Sequence, residues 1–200
     1  MPLSDHHLDQ LAEQGWVEIE DFVPTSLCQD LQAHLEQLSQ SSQLKPAGIG
    51  KQAQRSAEMR SDHIHWLDPA TSHSTEQAWL KWTNDLRQEL NQSLFIGAQD
   101  YEGHLALYPE GSFYKPHLDQ HKGQRSRLIT VILYLTPNWQ DGDGGELKFY
   151  TDPEKGVEGH SLTLRPIFGK VVLFRSDLFW HEVLPANTNR YSLTGWLRKG

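Results

Sequence analysis

The sequence predicts an α+β fold, with helices mainly in its first half and about eight short strands in its second. Apolar residues recur at helical spacing in 27–38 and 79–94, whereas from Tyr101 onward apolar and polar residues alternate between turn signals. Its 200 residues, 37% of them hydrophobic, are enough to bury one core. We therefore predict a single domain over 1–200, with helical and strand support over about 1–100 and a β core over about 101–198.

Composition argues against several classes of protein. The formal charge of −8 disfavours nucleic acid as the main partner, because phosphate binding needs clustered Lys and Arg. No apolar run approaches the length of a membrane span, and the polar residues 1–14 do not resemble a secretory signal. The single cysteine, Cys28, leaves no internal disulfide and is typical of a reducing compartment. We expect a cytoplasmic protein with neither a nucleic-acid nor a membrane partner.

The N-terminal elements follow from local patterns. Residues 1–14 are consistent with a short polar helix, and the alternation over 15–23 predicts an early strand. Pro24 then precedes a helix for which Thr25 or Ser26 is the expected N-cap. The apolar stripe of this helix is Leu27, Leu31, Leu35 and Leu38.

The segment 39–62 is polar and locally basic, with Lys45, Lys51, Arg55 and Arg60. Polar segments between periodic ones are usually solvated loops, and that is the first interpretation. The second is a lid or a substrate-docking segment.

The remaining elements complete the pattern. Residues 64–67 predict a short strand, and a long helix is expected from about Thr75 to Ile96. The stripe of that helix is Trp79, Trp82, Leu86, Leu90 and Leu94. The strands expected afterwards are 103–108, 112–118, 127–135, 145–150, 161–164, 170–175, 179–184 and 190–198.

Three His-x-acid motifs occur, beginning at His7, His34 and His117. Eleven histidines and 26 acidic residues produce about one such motif by chance, so context must choose among them. His7 lies in a polar stretch that nothing would hold rigid. His34 and Glu36 lie in a predicted helix, where they point about 200° apart. Only His117 and Asp119 follow a strand-like run, in which residues i and i+2 face the same way.

A third metal ligand is predicted at His181, within a strand-like segment. The adjacent Glu182 does not indicate a metalloprotease, because no His-Glu-x-x-His motif follows and Pro185 opposes a helix. Two histidines and one carboxylate leave positions on a metal open for substrate and O₂. This facial triad is typical of non-haem Fe(II) oxygenases.

The last predicted strand combines an arginine, two hydroxyls and a tryptophan on one face: Arg190, Ser192, Thr194 and Trp196. A guanidinium stays charged and offers a bidentate fork, so this face is a good carboxylate receptor. Tyr134, which shares a face with Thr130 in 127–135, is placed to line the same cavity. The alternatives are that Arg190 is a surface arginine and that Tyr134 is a core tyrosine.

Several ordered motifs together resemble the prolyl 4-hydroxylase-like 2-oxoglutarate/Fe(II)-dependent dioxygenases, in particular the hypoxia-inducible-factor prolyl hydroxylases and their bacterial relatives. The step of nine residues from His181 to Arg190 is the spacing of that family. The segments 15–24 and 60–68 also look similar. The motifs are Tyr108-Pro109, Tyr114, His117-Leu118-Asp119, 127–135, Trp139, 144–147, 181–186 and 190–196.

The resemblance implies a double-stranded β-helix (jelly-roll) core with N-terminal supporting helices. It implies Fe(II) bound by His117, Asp119 and His181, and Arg190 and Tyr134 holding the distal carboxylate of 2-oxoglutarate. The same pocket would be lined by Thr194, Tyr108 and Trp196. O₂ is the other cosubstrate, and ascorbate is a further candidate cofactor. The expected reaction decarboxylates 2-oxoglutarate to succinate and hydroxylates a prolyl residue in a flexible protein or peptide segment.

Three alternatives stay open. The same chemistry could act on a small molecule such as a free amino acid. A jelly-roll could instead sense metal or a 2-oxo acid without turnover, and a zinc hydrolase could use the same three ligands. A pure metal binder or a hydrolase leaves Arg190 unexplained. Pro116 and the segment 39–62 depart from the pattern of the family, so the substrate is the least determined feature.

Overall fold

The computed structural model describes residues 2–48, 58–120 and 126–200. Its helices are α1 (Asp5–Gln14), α2 (Thr25–Gln40) and α3 (Ser74–Leu94), with a short 3₁₀ helix at Gly156–Glu158. All three predicted helices are confirmed. Within these ranges, no helix is both long enough and apolar enough to cross a bilayer.

The predicted N-cap of α2 is wrong. Pro24 itself takes the cap position, with φ −52° and ψ 129°, and no side chain there hydrogen bonds to the helix. Thr25 is already the first helical residue. The extended conformation that proline favours therefore ends the preceding loop, and neither hydroxyl residue is left outside the helix to act as a cap.

The described residues form eleven strands; ten follow the predicted order, and the short strand at Lys45–Pro46 lies in the segment that was predicted as a loop. They are β1 (Trp16–Ile19), β2 (Lys45–Pro46), β3 (His63–Trp66), β4 (Asp100–Tyr108), β5 (Tyr114–His117), β6 (Arg127–Tyr134), β7 (Leu147–Tyr150), β8 (Ser161–Leu164), β9 (Val171–Arg175), β10 (His181–Val183) and β11 (Arg190–Arg198). The eight strands expected after residue 100 are β4 to β11. All pairings are antiparallel.

The strands form two sheets. The larger has the order β1-β9-β6-β11-β4-β3-β2, and the smaller has the order β5-β10-β7-β8. Strands from the first hundred residues extend both edges of the larger sheet, so that part of the chain contributes to the sheet as well as supporting it. In β1, Val17 and Ile19 are buried and alternate with less buried residues, as expected of a strand with one face on the core. This strand pairs antiparallel with β9.

Two cores lie on opposite faces of the larger sheet. One contains Leu31 of α2, Leu90 of α3 and Leu193 of β11, and joins the helices to the sheet. The other contains Ile132 and Phe149 and fills the space between the sheets. The parity predicted for the last strand is confirmed, because Leu193 and its apolar neighbours face the helices while the polar face turns toward the other sheet.

The basic segment 39–62 is only partly described. Lys45 is exposed in β2, whereas Lys51 and Arg55 lie outside the described residues. Arg60 is not part of a solvated loop, since its Nε donates to Asp62 at 2.7 Å and its side chain is only 10% exposed. The interpretation of 39–62 as a solvated loop therefore does not hold for Arg60.

Candidate active site

Three predicted metal ligands meet where β5 and β10 pair. His117 ends β5, His181 begins β10, and the two are direct cross-strand partners. Asp119 follows two residues after His117, and its carboxylate lies between the imidazoles. Both distances, from His117 Nε2 to Asp119 Oδ1 and from His181 Nε2 to Asp119 Oδ2, are 3.6 Å. All three donor atoms lie within 4.8 Å of one another, which is close enough to share one ion.

Backbone carbonyls orient both imidazoles. The Nδ1 of His117 lies 2.9 Å from the Lys115 carbonyl, and that of His181 lies 3.0 Å from the Phe179 carbonyl. A carbonyl can only accept, so each Nδ1 must carry the proton. The lone pair of each Nε2 is then directed at the shared position, as metal binding requires.

The Asp119 carboxylate is buried but well supported. Thr130 Oγ1 donates to Oδ2 at 2.8 Å and also contacts Ser176 Oγ at 2.9 Å. Arg127 Nη1 donates to the Asp119 carbonyl at 3.1 Å. Burial raises the pKa of the carboxyl, but His181, His117 and Thr130 outweigh burial and hold the pKa well below its usual value. The carboxylate is therefore charged and available to a cation.

Burial, with a smaller contribution from His117, lowers the pKa of His181 to about 4. The imidazole is thus neutral near pH 7, which is the form that binds metal. Phe174 contacts it edge-on, with ring centroids 4.9 Å apart.

An aromatic and cationic stack covers His117. The ring of Tyr114 stacks on the imidazole at 3.6 Å between centroids and 14° between planes. On Tyr114 lies the guanidinium of Arg60, 4.2 Å from the ring centroid, held in turn by Asp62. This stack limits rotation of the His117 ring and so fixes the direction of its donor atom.

Arg190 is a buried cation without an acidic partner among the described residues. It is 2% exposed, its Nη1 donates to Ser192 at 3.0 Å, and its Nε has no hydrogen-bond partner in the described part of the chain. Its Cζ lies 4.9 Å from the Tyr108 ring centroid. Gly145, at φ +72°, permits this approach, since a Cβ there would lie 2.7 Å from Arg190 Cδ. Such a site is suited to an anion.

One cavity of about 600 Å³ contains these groups. Tyr134 is not among the residues that line the cavity, but its ring lies beside Arg190, whose Cζ is 5.3 Å from the ring centroid. Thr130 also lies outside the lining and supports Asp119 instead. The predicted residues that do line the cavity are Tyr108, His117, Asp119, His181, Arg190, Thr194 and Trp196.

Known proteins share this arrangement of sequence and fold. A model of the 2OG-Fe(II) oxygenase superfamily matches residues 103–198, which include every predicted site residue. A prolyl-4-hydroxylase structure from Pseudomonas putida is 35% identical, with a TM-score of 0.85 and coverage of 98% of both chains. This chain belongs to the 2OG-Fe(II) oxygenase superfamily.

Other members of the superfamily are similar over most of this chain. A Trichoplax adhaerens prolyl hydroxylase, solved with a hypoxia-inducible-factor peptide fragment, is 26% identical with a TM-score of 0.84, covering 96% of this chain and 87% of that one. The Caenorhabditis elegans hypoxia-inducible factor prolyl hydroxylase is 27% identical over 97% of this chain. The chain spans 28% of that relative and less than half of the other curated relatives it matches. The predicted family likeness and jelly-roll class are confirmed.

Sequence reasoning missed several groups around the site of this oxygenase. Arg127 reaches both the Asp119 carbonyl and the face of Trp196, with its Cζ 3.4 Å from that ring centroid. His104 lines the cavity beside Trp66 and Trp196, at centroid distances of 4.8 and 5.6 Å. Strand parity could have found His104, because it shares a face of β4 with Tyr108.

Proposed function

We propose that this protein is an Fe(II)- and 2-oxoglutarate-dependent dioxygenase that hydroxylates a prolyl residue in a protein or peptide. One observation carries the proposal. The buried, acid-free guanidinium of Arg190 opens into the same cavity as the His117, Asp119 and His181 cluster. A metal binder without a 2-oxo acid cosubstrate has no use for such a receptor.

The donor set fits Fe(II). Two imidazoles and one carboxylate approach from one side and leave the cavity side open, which suits a facial triad. His117, Asp119 and His181 would hold the ion. When bound, the iron with 2-oxoglutarate and O₂ supplies the oxidising chemistry that yields succinate, CO₂ and a hydroxylated C–H bond.

The residues of the chain bind and orient the cosubstrate. Arg190 would pair with the distal carboxylate. The Tyr134 hydroxyl, which is buried and has no hydrogen-bond partner among the described residues, would donate to the same group. Thr194 and Trp196 border the carboxylate site on β11. Since Arg190 is almost fully buried, its ion pair is shielded from water and directs the 2-oxo acid end toward the metal ligands.

A prolyl substrate is supported by the relatives and by the cavity mouth. The P. putida and T. adhaerens proteins are named prolyl hydroxylases, and the second was solved with a peptide. Trp66 lines the cavity while remaining 49% exposed, so it offers a flat apolar surface to an incoming ring. Docking by the basic segment 39–62 remains a prediction, because Lys51 and Arg55 are outside the described residues. A cytoplasmic location and use of ascorbate are likewise proposed.

Turnover of 2-oxoglutarate tests the proposal. The purified protein with Fe(II) should form succinate, and a proline-containing peptide should gain the mass of one oxygen atom. The same peptide with alanine in place of proline should gain none. Asp119→Asn should abolish both products, whereas Asp177→Asn, an exposed acid outside the cavity, should not. Oxidation of free proline but not peptide would favour the small-molecule alternative, and 2-oxoglutarate binding without any turnover would favour the sensor.

A further inference from the structure

A second histidine-carboxylate cluster lies outside the cavity. It brings together His34 of α2, His65 of β3 and Glu76 of α3. The Nε2 atoms of His34 and His65 lie 2.9 and 3.1 Å from the same Glu76 oxygen, Oε1. None of the three lines the cavity. Because side chains alternate along β3, His65 turns toward the helices while its neighbour Trp66 faces the cavity.

The cluster buries a negative charge without a permanent cation. Glu76 is 3% exposed and His34 is 7% exposed. Among the described residues, the ion-pair partners of Glu76 are these two imidazoles alone. A buried carboxylate without a Lys or Arg partner among the described residues is well placed to bind a cation.

We propose that His34, His65 and Glu76 form a binding site for a divalent transition-metal ion, with Zn²⁺ as the best match. Imidazole nitrogen and carboxylate oxygen are ordinary zinc ligands, at about 2.0–2.2 Å from the ion. Tetrahedral ligands at that range are separated by about 3.3 Å. The two distances from Nε2 to Glu76 Oε1 need only lengthen by a few tenths of an ångström, and all three donor atoms already lie within 4.8 Å of one another. Each imidazole can shift its proton to Nδ1 to free Nε2.

His73 is the candidate for a fourth ligand. The exposed ring of His73 stacks on His34 with centroids 3.7 Å apart and planes at 22°. It precedes α3 as the N-cap residue, and its side chain makes no capping hydrogen bond. A rotation of this side chain, or a water molecule, would complete the coordination. His65, whose side chain is 28% exposed, provides the access route.

The expected role of this site is structural. An ion there would tie α2 and α3 to β3, the strand whose next residue lines the cavity mouth. The cluster has no guanidinium among its described ion-pair partners, unlike the cavity with Arg190, so it offers no receptor for a 2-oxo acid. The site therefore stabilises the fold and is not a second oxygenase centre.

Zinc binding tests the proposal separately from catalysis. In a His117→Ala, Asp119→Ala background, which removes two of the three cavity ligands, equilibrium dialysis against ZnCl₂ should leave one zinc per chain. Adding His65→Gln should weaken that binding at least tenfold. His63→Gln is the matched control, because it lies two residues away on the same face of β3 and outside the cluster. It should retain the zinc.

Two further measurements keep the test independent of folding defects. Zinc should raise the Tm of the background but not that of its His65→Gln derivative. In the unaltered protein, His65→Gln should lower the zinc content from two ions to one. X-ray absorption of the zinc-loaded background should show at least two imidazoles bound to the ion. Absence of zinc from a folded background, or equal zinc affinity of the His65→Gln and His63→Gln proteins, would overturn the proposal and leave a hydrogen-bonded histidine network only.

Discussion

The guanidinium of Arg190 lies against the ring of Tyr134, with Cζ 5.3 Å from the ring centroid, and each side chain has a buried polar atom to which the described residues offer no hydrogen bond. These atoms are the Arg190 Nε and the Tyr134 hydroxyl. Burying donors without acceptors is costly, so a fold that retains two side by side is prepared for a ligand that satisfies both. A carboxylate does so, and the first two predictions follow from this pair.

Arg190→Ala should weaken 2-oxoglutarate binding by about 2–5 kcal/mol, because it removes a buried charge-assisted contact. Metal binding should change much less, since Arg190 is not among the clustered metal-ligand candidates. Calorimetric titration of 2-oxoglutarate into the metal-loaded protein, alongside metal titration, measures both. Arg175→Ala, which removes an exposed arginine of β9, is the control. Equal losses of metal and cosubstrate affinity would show that Arg190 has a structural role.

Tyr134→Phe should have opposite effects on binding and stability. Loss of the hydroxyl should weaken 2-oxoglutarate binding by about 1 kcal/mol. It should leave the Tm of the ligand-free protein unchanged or higher, because the hydroxyl has no hydrogen-bond partner among the described residues. Tyr101→Phe is the contrasting control. Its hydroxyl accepts from Trp79 Nε1 at 3.0 Å, so its removal should lower the Tm. A fall in Tm for Tyr134→Phe would mean that the hydroxyl already has a structural partner.

Thr130→Val should weaken metal binding about tenfold to a hundredfold, because the lost hydroxyl supports Asp119 Oδ2. Valine keeps the shape of the side chain, and Thr130 does not line the cavity, so direct contact with a cosubstrate is not disturbed. Metal titration followed by the absorption of bound Co²⁺ measures the effect. Thr163→Val, at an exposed position of β8, should leave metal affinity unchanged. If both variants bound metal equally well, the hydrogen bond would not be what orients the carboxylate.

Local sequence patterns predicted the strands and the site because the relevant geometry is local. Side-chain parity in β11 places Arg190, Thr194 and Trp196 on one face, and the structure has them there. The pairing of His117 with His181 required only that two strand-like segments become neighbours. Ordered motifs at family spacing supplied that information.

Contacts between distant segments were not accessible in this way. Helical spacing predicts that Glu36 points away from His34, but it does not reveal that α3 brings Glu76 to the same imidazole. Likewise, the composition of 39–62 predicts a loop cation at Arg60, whereas an antiparallel bridge to Tyr114 places its guanidinium over that ring. The periodicity of apolar residues within one segment shows which face is buried, but it does not identify the distant segment that packs against that face.

His104 should make the fold sensitive to acid. Its imidazole is 3% exposed, and burial, followed by the positive charge of Arg60, lowers its pKa to about 3. In the unfolded chain the pKa is about 6.5, so between these values the unfolded state binds a proton that the folded state does not. Stability therefore falls as the pH drops below about 6.5, by about 2 kcal/mol at pH 5 from this residue.

Urea unfolding of the protein and of His104→Gln at pH 7 and pH 5 measures this contribution. The loss of unfolding free energy between the two pH values should be smaller in the variant by about 2 kcal/mol, whatever the cost of the substitution itself, because that cost cancels in the difference. His6→Gln removes an exposed histidine and should lose as much stability on acidification as the unaltered protein. If His104→Gln lost as much unfolding free energy on acidification as the unaltered protein, the His104 imidazole would have to be protonated in the folded state. Water or an acidic group would then have to reach its buried Nδ1, for which the described residues offer no partner.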